Sequence, residues 1–327
     1  METMKELNHV LYYVDSEEPD LVLLERVVAS AKMHGARLTV AAVVEQGSRW
    51  GVPLAGNIVD PLALEAELVA ARDQELTKAL ETVDLGDVET DISVLAGHPV
   101  RSILEEVQAK GVDLLVKVQA PSDGLRQWFF GSIDMQLMRS CPCPVAVARP
   151  RTREGAHRAV ACLDYDGDDE AKRGLNDRIL DSAVLAQAGE HSEIFVLHAW
   201  DLYGYSLLTQ GRGKLPPERL REAVEQERVA RQKWFETRIA DHRATLDEEQ
   251  AARFDPKLEL VRGDARQVIP QRVKELDADL IGLGTASRAG VSALLIGNTA
   301  EEILGRVDCS VVVHKPDGFV CPVPPRA

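Results

Sequence analysis

The 327-residue sequence has no run of about 18 apolar residues, so no stretch of it reads as a membrane-spanning helix. Its first residues, METMKELNHV, lack the basic-then-apolar pattern of a secretory signal. Basic residues are in deficit, 38 Lys and Arg against 53 Asp and Glu, for a formal charge of −15. A surface of that sign repels nucleic-acid phosphates and anionic lipid. The densest basic stretches, 148–158 and 211–221, each enclose a glutamate, Glu154 and Glu218, and read as solvated connections. Neither nucleic acid nor a membrane is expected as a partner. Cysteine is scarce and odd in number, five in all, which suits a reducing compartment and not a disulfide framework. The expected location is the cytoplasm.

Catalytic signatures are missing too: there is no Gly-x-Ser-x-Gly, no Walker A sequence and no His-Glu-x-x-His. The expectation is therefore a non-enzyme, with any ATP hydrolysis slow and incidental. What is present is an ordinary globular balance, 45% hydrophobic and 28% charged, at a length that fits two domains.

The sequence is written twice. Gly97 corresponds to Gly263, Ile103 to Ile269, Asp113 to Asp279, Gly131 to Gly297 and Cys143 to Cys309, each pair 166 residues apart. Nearer the start Asp15 corresponds to Asp164 at a separation of 149, so the second copy carries 17 extra residues, which we assign to 202–217. Each copy alternates β-branched apolar runs with amphipathic helical stretches. In the first copy strands are expected near 10–14, 37–44, 89–95, 114–118 and 145–148. One helix should end on Gly35 and another open on Pro61. Such alternation implies right-handed crossovers and an α/β fold of two tandem, doubly wound, Rossmann-like parallel sheets. We place the domains at 1–150 and 151–327.

Ligands of such sheets lie beyond the carboxyl ends of the strands, where strand order reverses. There the chain resembles the universal stress protein family in its tandem, E-type form. The resemblance is carried by the strand-then-Asp openings, "LAGHPVRSI" and "VRGDARQVI", "DLLVKV" and "DLIGLG", "CPCPVAVA" and "DCSVVVH", and "GNTAEEIL". It implies two five-stranded sheets of adenine nucleotide alpha hydrolase-like type, a role in stress survival, and halves packed as a pseudo-dimer through their fifth strands. A homodimer beyond that is also allowed for.

The family's nucleotide-binding members carry Gly, two residues, Gly, nine residues, Gly, then Ser or Thr. In the second copy this pattern falls on Gly284, Ser287 in place of glycine, Gly297, and Asn298 in place of Ser or Thr, with Thr299 next. Asp164 and Ala199 fall where family members meet the nucleotide and its adenine, and Arg288 is the cation at hand. In the first copy Val118 and Pro121 replace the first two glycines, ahead of Gly131 and Ser132, with Asp15 and Val43 upstream. Pro121 offers no N–H, so a triphosphate is not expected there. The resemblance thus implies ATP or another adenine nucleotide in the second half only.

The residues themselves leave 284–299 open to two readings, phosphate cradle or plain loop-to-helix junction. A helix opening at Gly297 offers free N–H groups to an anion. Yet "NTAE" also resembles a capping box of Asn298 and Glu301. Glu301 and Glu302 oppose a polyanion, at a cost on the order of 4 kcal/mol for each like pair about 4 Å apart at an effective dielectric near 20.

Two further functions stay open: an ATP-dependent signalling switch, and a carrier of an apolar small molecule covered by Tyr203, Tyr205, Leu207 and Leu208. "DYDGDDE" fails as a calcium loop, since Asp169 and Leu175 stand where glycine and glutamate are required, and it reads as a solvated turn. Cys141, Cys143 and Cys309 read as small core residues, and His98 and His198 as structural, so no metal is expected.

Overall fold

β1 (His9–Val14) is apolar enough to be buried along its whole length, as a central strand covered on both faces must be. α1 (Leu21–His34) follows, opened by the Asp20 carboxylate accepting from the Leu23 amide at 2.9 Å and closed by left-handed Gly35. Then come β2 (Arg37–Glu45), α2 (Pro61–Glu81), β3 (Thr90–Gly97), α3 (Pro99–Lys110), β4 (Leu114–Val118), α4 (Ser132–Ser140) and β5 (Val145–Ala148). The expected ends at Gly35 and Pro61 are both in place. The second copy runs β6 (His157–Cys162), α5 (Glu170–Ala186), β7 (Ser192–Trp200), α6 (Tyr205–Thr209), α7 (Pro217–Arg243), α8 (Glu248–Arg253), β8 (Lys257–Arg262), α9 (Ala265–Glu275), β9 (Leu280–Gly284), α10 (Asn298–Leu304) and β10 (Ser310–His314). This computed structural model describes residues 7–45, 61–119, 132–149, 157–186, 192–210, 214–285 and 297–325.

The described residues form two compact units. The first holds 7–149 together with 310–325, the second 157–285 and 297–309. In the first the strands lie in the order β3, β2, β1, β4, β5, β10; β1 to β5 are parallel, and β10 is antiparallel to β5 with Val311 opposite Val147 and Val313 opposite Val145. The second has β9, β6, β7, β8, all parallel. The fifth strand of the second copy thus groups with the first copy. The proline-rich tail goes with it, Gln108 Nε2 donating to the Val323 carbonyl at 3.0 Å.

Each unit has its own core. Leu11, Leu24, Leu38, Leu76, Ile103 and Leu104 are fully buried in the first, and Leu180, Val196, Phe235 and Phe254 in the second. Each such side chain contributes about 1.5–3 kcal/mol. The paired residues of the repeat have structural work. Asp113 accepts from the Asn8 and His9 amides, each at 3.1 Å, and Asp279 from the Arg158 amide at 2.8 Å, anchoring the first strand of each copy. Gly97 and Gly263 share φ near 146° and 145°, and a Cβ on either would press on Ser102 or Val268.

One expectation needs correcting. The surplus of the second copy is not an insertion at 202–217, because the links 46–60 and 201–216 are of nearly equal length. Much of it is in the helix that follows, 27 residues in α7 against 21 in α2, and in the α8 turn after it.

Candidate functional site

Strand order reverses between β1 and β4 in the first unit and between β6 and β9 in the second, so these carboxyl edges are the places to build a site. In the second unit β6 and β9 pair with Ala161 opposite Gly282, which brings the chain leaving β6 at Asp164 and the end of β9 at Gly284 to one edge. Ala199 is at the same end of β7, which pairs with β6 on its other side. The structure therefore gathers Asp164, Ala199 and Gly284.

Asp164 has its backbone locked and its side chain free to face water. The Asn176 side chain accepts from its amide at 3.1 Å and donates to its carbonyl at 2.7 Å. The Asp164 side chain is 67% exposed and is paired with Lys172 Nζ at 2.8 Å.

Gly284 has a packing role. A Cβ there would come within 2.6 Å of Leu175 Cδ2 and 3.3 Å of Ile179 Cδ1, so glycine is what lets α5 close onto β9. Gly297 precedes α10 with no side-chain cap, and helix begins at Asn298. This corrects the capping-box reading, because Asn298 is already helical, Gly297 is the N-cap, and the Glu301 amide donates to the Gly297 carbonyl at 3.2 Å. Asn298 and Thr299 are exposed. Glu302 is neutralised by Arg306 at 2.6 Å and Arg266 at 3.6 Å, which removes one of the two charges set against an anion. Ser287 and Arg288 lie outside the described residues, as do Pro121 and Gly131 of the first copy.

The same edge of the first unit is built differently. Lys117, inside β4, is fully buried, its ammonium 2.8 Å from Asp15 Oδ2 and in contact with Asp134 Oδ1 at the start of α4. Asp15 is only 14% exposed as a result. Taking a lysine out of water is costly, and two carboxylates repay it. In the 166-residue register Lys117 becomes Leu283 and Asp134 becomes Ala300, so the second copy has no counterpart of this plug. The five parallel strands of the first copy and the antiparallel pairing of β5 with β10 fit the fold that the resemblance implies.

The sequence profile of the Universal stress protein family matches residues 6–149 and 157–315. The chain belongs to the universal stress protein family. It is similar to Universal stress protein E of Photorhabdus laumondii, 28% identical over 239 residues and 72% of each chain. With Universal stress protein E of Escherichia coli it shares 24% over 227 residues, 69% of this chain and 68% of that one. Among solved structures, a protein of Pseudomonas aeruginosa matches with a TM-score of 0.63 at 22% identity over 97% of this chain and 96% of that chain. A universal stress protein of Archaeoglobus fulgidus matches at 0.56 and 17%, over 95% and 97%. At these identities the solved structures show a shared fold.

In this universal stress protein the described part of the segment expected to cover an apolar or amphipathic ligand lies largely at the surface. α6 buries none of its residues, Tyr203 is 98% exposed and Leu207 72% exposed, while Phe235 and Phe254 are buried in the core of the second unit. Nor is "DYDGDDE" wholly solvated: Asp166 is buried, accepting from Trp234 Nε1 at 2.6 Å and lying 3.7 Å from Arg238. Tyr165 packs edge-on to Trp234, with the Arg231 guanidinium 3.6 Å above its ring. These contacts clamp α7 over the carboxyl edge and were not foreseen in the sequence. His198 is buried, with Nδ1 on the Leu163 carbonyl at 3.0 Å and its ring edge-on to Trp234. Among the described residues no group of His, Cys, Asp or Glu could hold a metal, and no helix is long and apolar enough to cross a membrane.

A cleft of about 630 Å³ lies at the opposite, amino edge of the first unit, by Lys32, Arg37, Asp87 and Glu89. Lys32 is tied to Asp84 at 2.9 Å and Arg37 to the Lys110 carbonyl at 2.7 Å. Its cations are thus engaged, and in a parallel sheet it is the wrong edge for a ligand.

Proposed function

We propose that the chain is a cytoplasmic, non-enzymatic stress-response protein whose second copy offers an adenine-nucleotide or anion site at the carboxyl edge of β6, β7 and β9. Its two halves act as an intramolecular pair through their fifth strands. The observation that carries this reading is the contrast between the two aspartates after the first strands. Asp15 is drawn in by buried Lys117, whereas Asp164 presents a carboxylate to solvent beside Lys172. A ribose hydroxyl can donate to such a carboxylate, and Lys172 is a cation within reach of a phosphate. Leu283 and Ala300 leave no internal cation to compete for the place.

Calorimetry of the full chain with ATP and AMP tests it. Wild type and Asp15→Asn should bind, Asp164→Ala should bind far more weakly, and phosphate release should stay at background. Absence of binding by wild type, or equal binding by Asp164→Ala, overturns the site; steady turnover overturns the non-enzymatic reading. Gly284→Val, the obvious loop variant, is a poor probe because its side chain would collide with Leu175.

A further inference from the structure

Cys141, Cys143 and Cys309 read from the sequence as small core residues, yet the first two of them meet. Cys141 and Cys143 flank Pro142 between α4 and β5, both buried, with their sulfurs 3.4 Å apart. The place has a cation. Lys315, the first residue after β10, is buried, donates to the Arg139 carbonyl at the end of α4 at 3.0 Å, and lies within electrostatic reach of Cys141. A helix C-terminus is the negative end of its dipole and disfavours a thiolate beside it, and Lys315, its pKa lowered by burial to about 8, opposes that effect when it is charged. The tail after Lys315 crosses this region, with the Phe319 ring 4.8 Å from the ammonium and half-buried Cys321 within electrostatic reach of Cys141.

We propose that Cys141 and Cys143 form a redox-active dithiol, oxidised by a peroxide to a reversible intrachain disulfide. Cys141 is the attacking thiol and Cys143 the resolving one.

The assignment of roles follows from the pair's geometry. Contact with the Cys141 sulfur, and then burial, push the Cys143 thiol up, so Cys143 is the partner that keeps its proton in a contact where either sulfur can donate. Cys141 is the member of the pair within electrostatic reach of Lys315, and a neighbouring cation favours a cysteine as the attacking sulfur. The Cys141 thiolate attacks one peroxide oxygen, the O–O bond breaks, and hydroxide leaves to take up a proton as water; the sulfur is now a sulfenic acid. The Cys143 sulfur then attacks the Cys141 sulfur, the S–O bond breaks, and the hydroxyl leaves with the Cys143 proton as a second water. Two thiols and one hydrogen peroxide give one disulfide and two waters, with two electrons passing from sulfur to peroxide. A disulfide between them requires the sulfurs to close from 3.4 Å to about 2.05 Å. Cys162 and Cys309 serve as internal controls. They are buried in the second unit, where burial pushes the Cys162 thiol up, and the position matching Cys141 is Val307.

The full chain, fully reduced, is treated with hydrogen peroxide, quenched with catalase, unfolded in an alkylating reagent, digested with trypsin and weighed. Both thiols fall in one peptide, 140–151, which contains no other cysteine. The expected product is that peptide unalkylated and lighter by two hydrogens, restored by dithiothreitol, with Cys162 and Cys309 alkylated throughout. Cys141→Ser and Cys143→Ser should each abolish it, Cys321→Ser should leave it, and Lys315→Met should slow its formation several-fold. Circular dichroism of each variant separates lost chemistry from lost folding. Alkylation of both Cys141 and Cys143 after peroxide, a sulfinic or sulfonic acid at Cys141 with no disulfide, or a bridge to Cys321 instead, overturns the proposal.

Discussion

The ammonium of Lys117 lies 2.8 Å from the carboxylate of Asp15 in a place where the lysine side chain has no exposure at all. Asp134, equally buried, completes the arrangement. Removing only the lysine leaves the buried Asp134 carboxylate and the mostly covered Asp15 carboxylate without their cation, a change that costs about 3–5 kcal/mol. Lys117→Met should therefore lower the urea midpoint sharply. Lys117→Leu combined with Asp134→Ala, which copies Leu283 and Ala300 of the second copy, should cost clearly less. Urea unfolding followed by circular dichroism compares the two; a double variant no better than the single one would sink the account.

Asp181 and His242 face each other between α5 and α7 at 3.7 Å and carry opposed pH dependences. Burial, then the Asp177 charge, raises Asp181 to about 7, and burial, then Arg238, lowers His242 to about 4. The raised Asp181 contributes stability at low pH that is lost as pH rises through about 7, whereas the lowered His242 contributes stability above its ordinary value that is lost as pH falls toward about 4. In the wild type the slopes largely cancel. Asp181→Asn should expose the histidine's, with melting temperature falling in acid. His242→Gln should expose the aspartate's, with melting temperature falling as pH rises toward neutrality. Each effect is on the order of 2–3 kcal/mol across its window. Thermal melts across that range check both signs.

Gly284→Ala places a methyl 2.6 Å from Leu175 Cδ2. Overpacking of this kind costs about 1–3 kcal/mol. Leu175→Ala in the same chain should recover part of the loss, so that the two changes are less than additive in a double-mutant cycle. Additivity would mean that the glycine serves something other than the α5 contact.

Trp234→Phe keeps an aromatic ring beside Tyr165 and His198 but removes the indole donor to buried Asp166. A lost bond to a buried acceptor costs about 1–3 kcal/mol. Guanidinium unfolding should show a loss of that size. Hydrogen exchange should rise along α7 first, because that helix is what the bond holds down.

The strands and helices were legible because their cause is local. A run such as HVLYYV has only one way to bury six residues, and Gly35 and Pro61 mark helix ends through their own backbone chemistry. The repeat gave the fold twice over. The site was legible only as far as its backbone: Asp164, Ala199 and Gly284 reach one edge because strand order takes them there. What escaped was side-chain pairing at long range. Lys117 in LLVKV was the available signal, since a lysine flanked by strand residues buried on both faces must find carboxylates, yet nothing nearby in sequence says that these are Asp15 and Asp134. Asp166 was misread for the same reason, its partner Trp234 being 68 residues away. The surplus of the second copy was misplaced because a loop rich in Gly and Pro looks insertable, while a helix that simply runs longer leaves no mark.

Because β10 and the tail belong with the first unit, the order of manufacture and the order of completion differ. A ribosome delivers β1 to β5 early, but the flank of β5 has no neighbour until residue 310 and its successors emerge. For that interval the nascent chain carries an unpaired strand margin, the kind of surface that recruits a chaperone or another copy. Shortening the gene at its far end would thus injure the part of the protein that was made first.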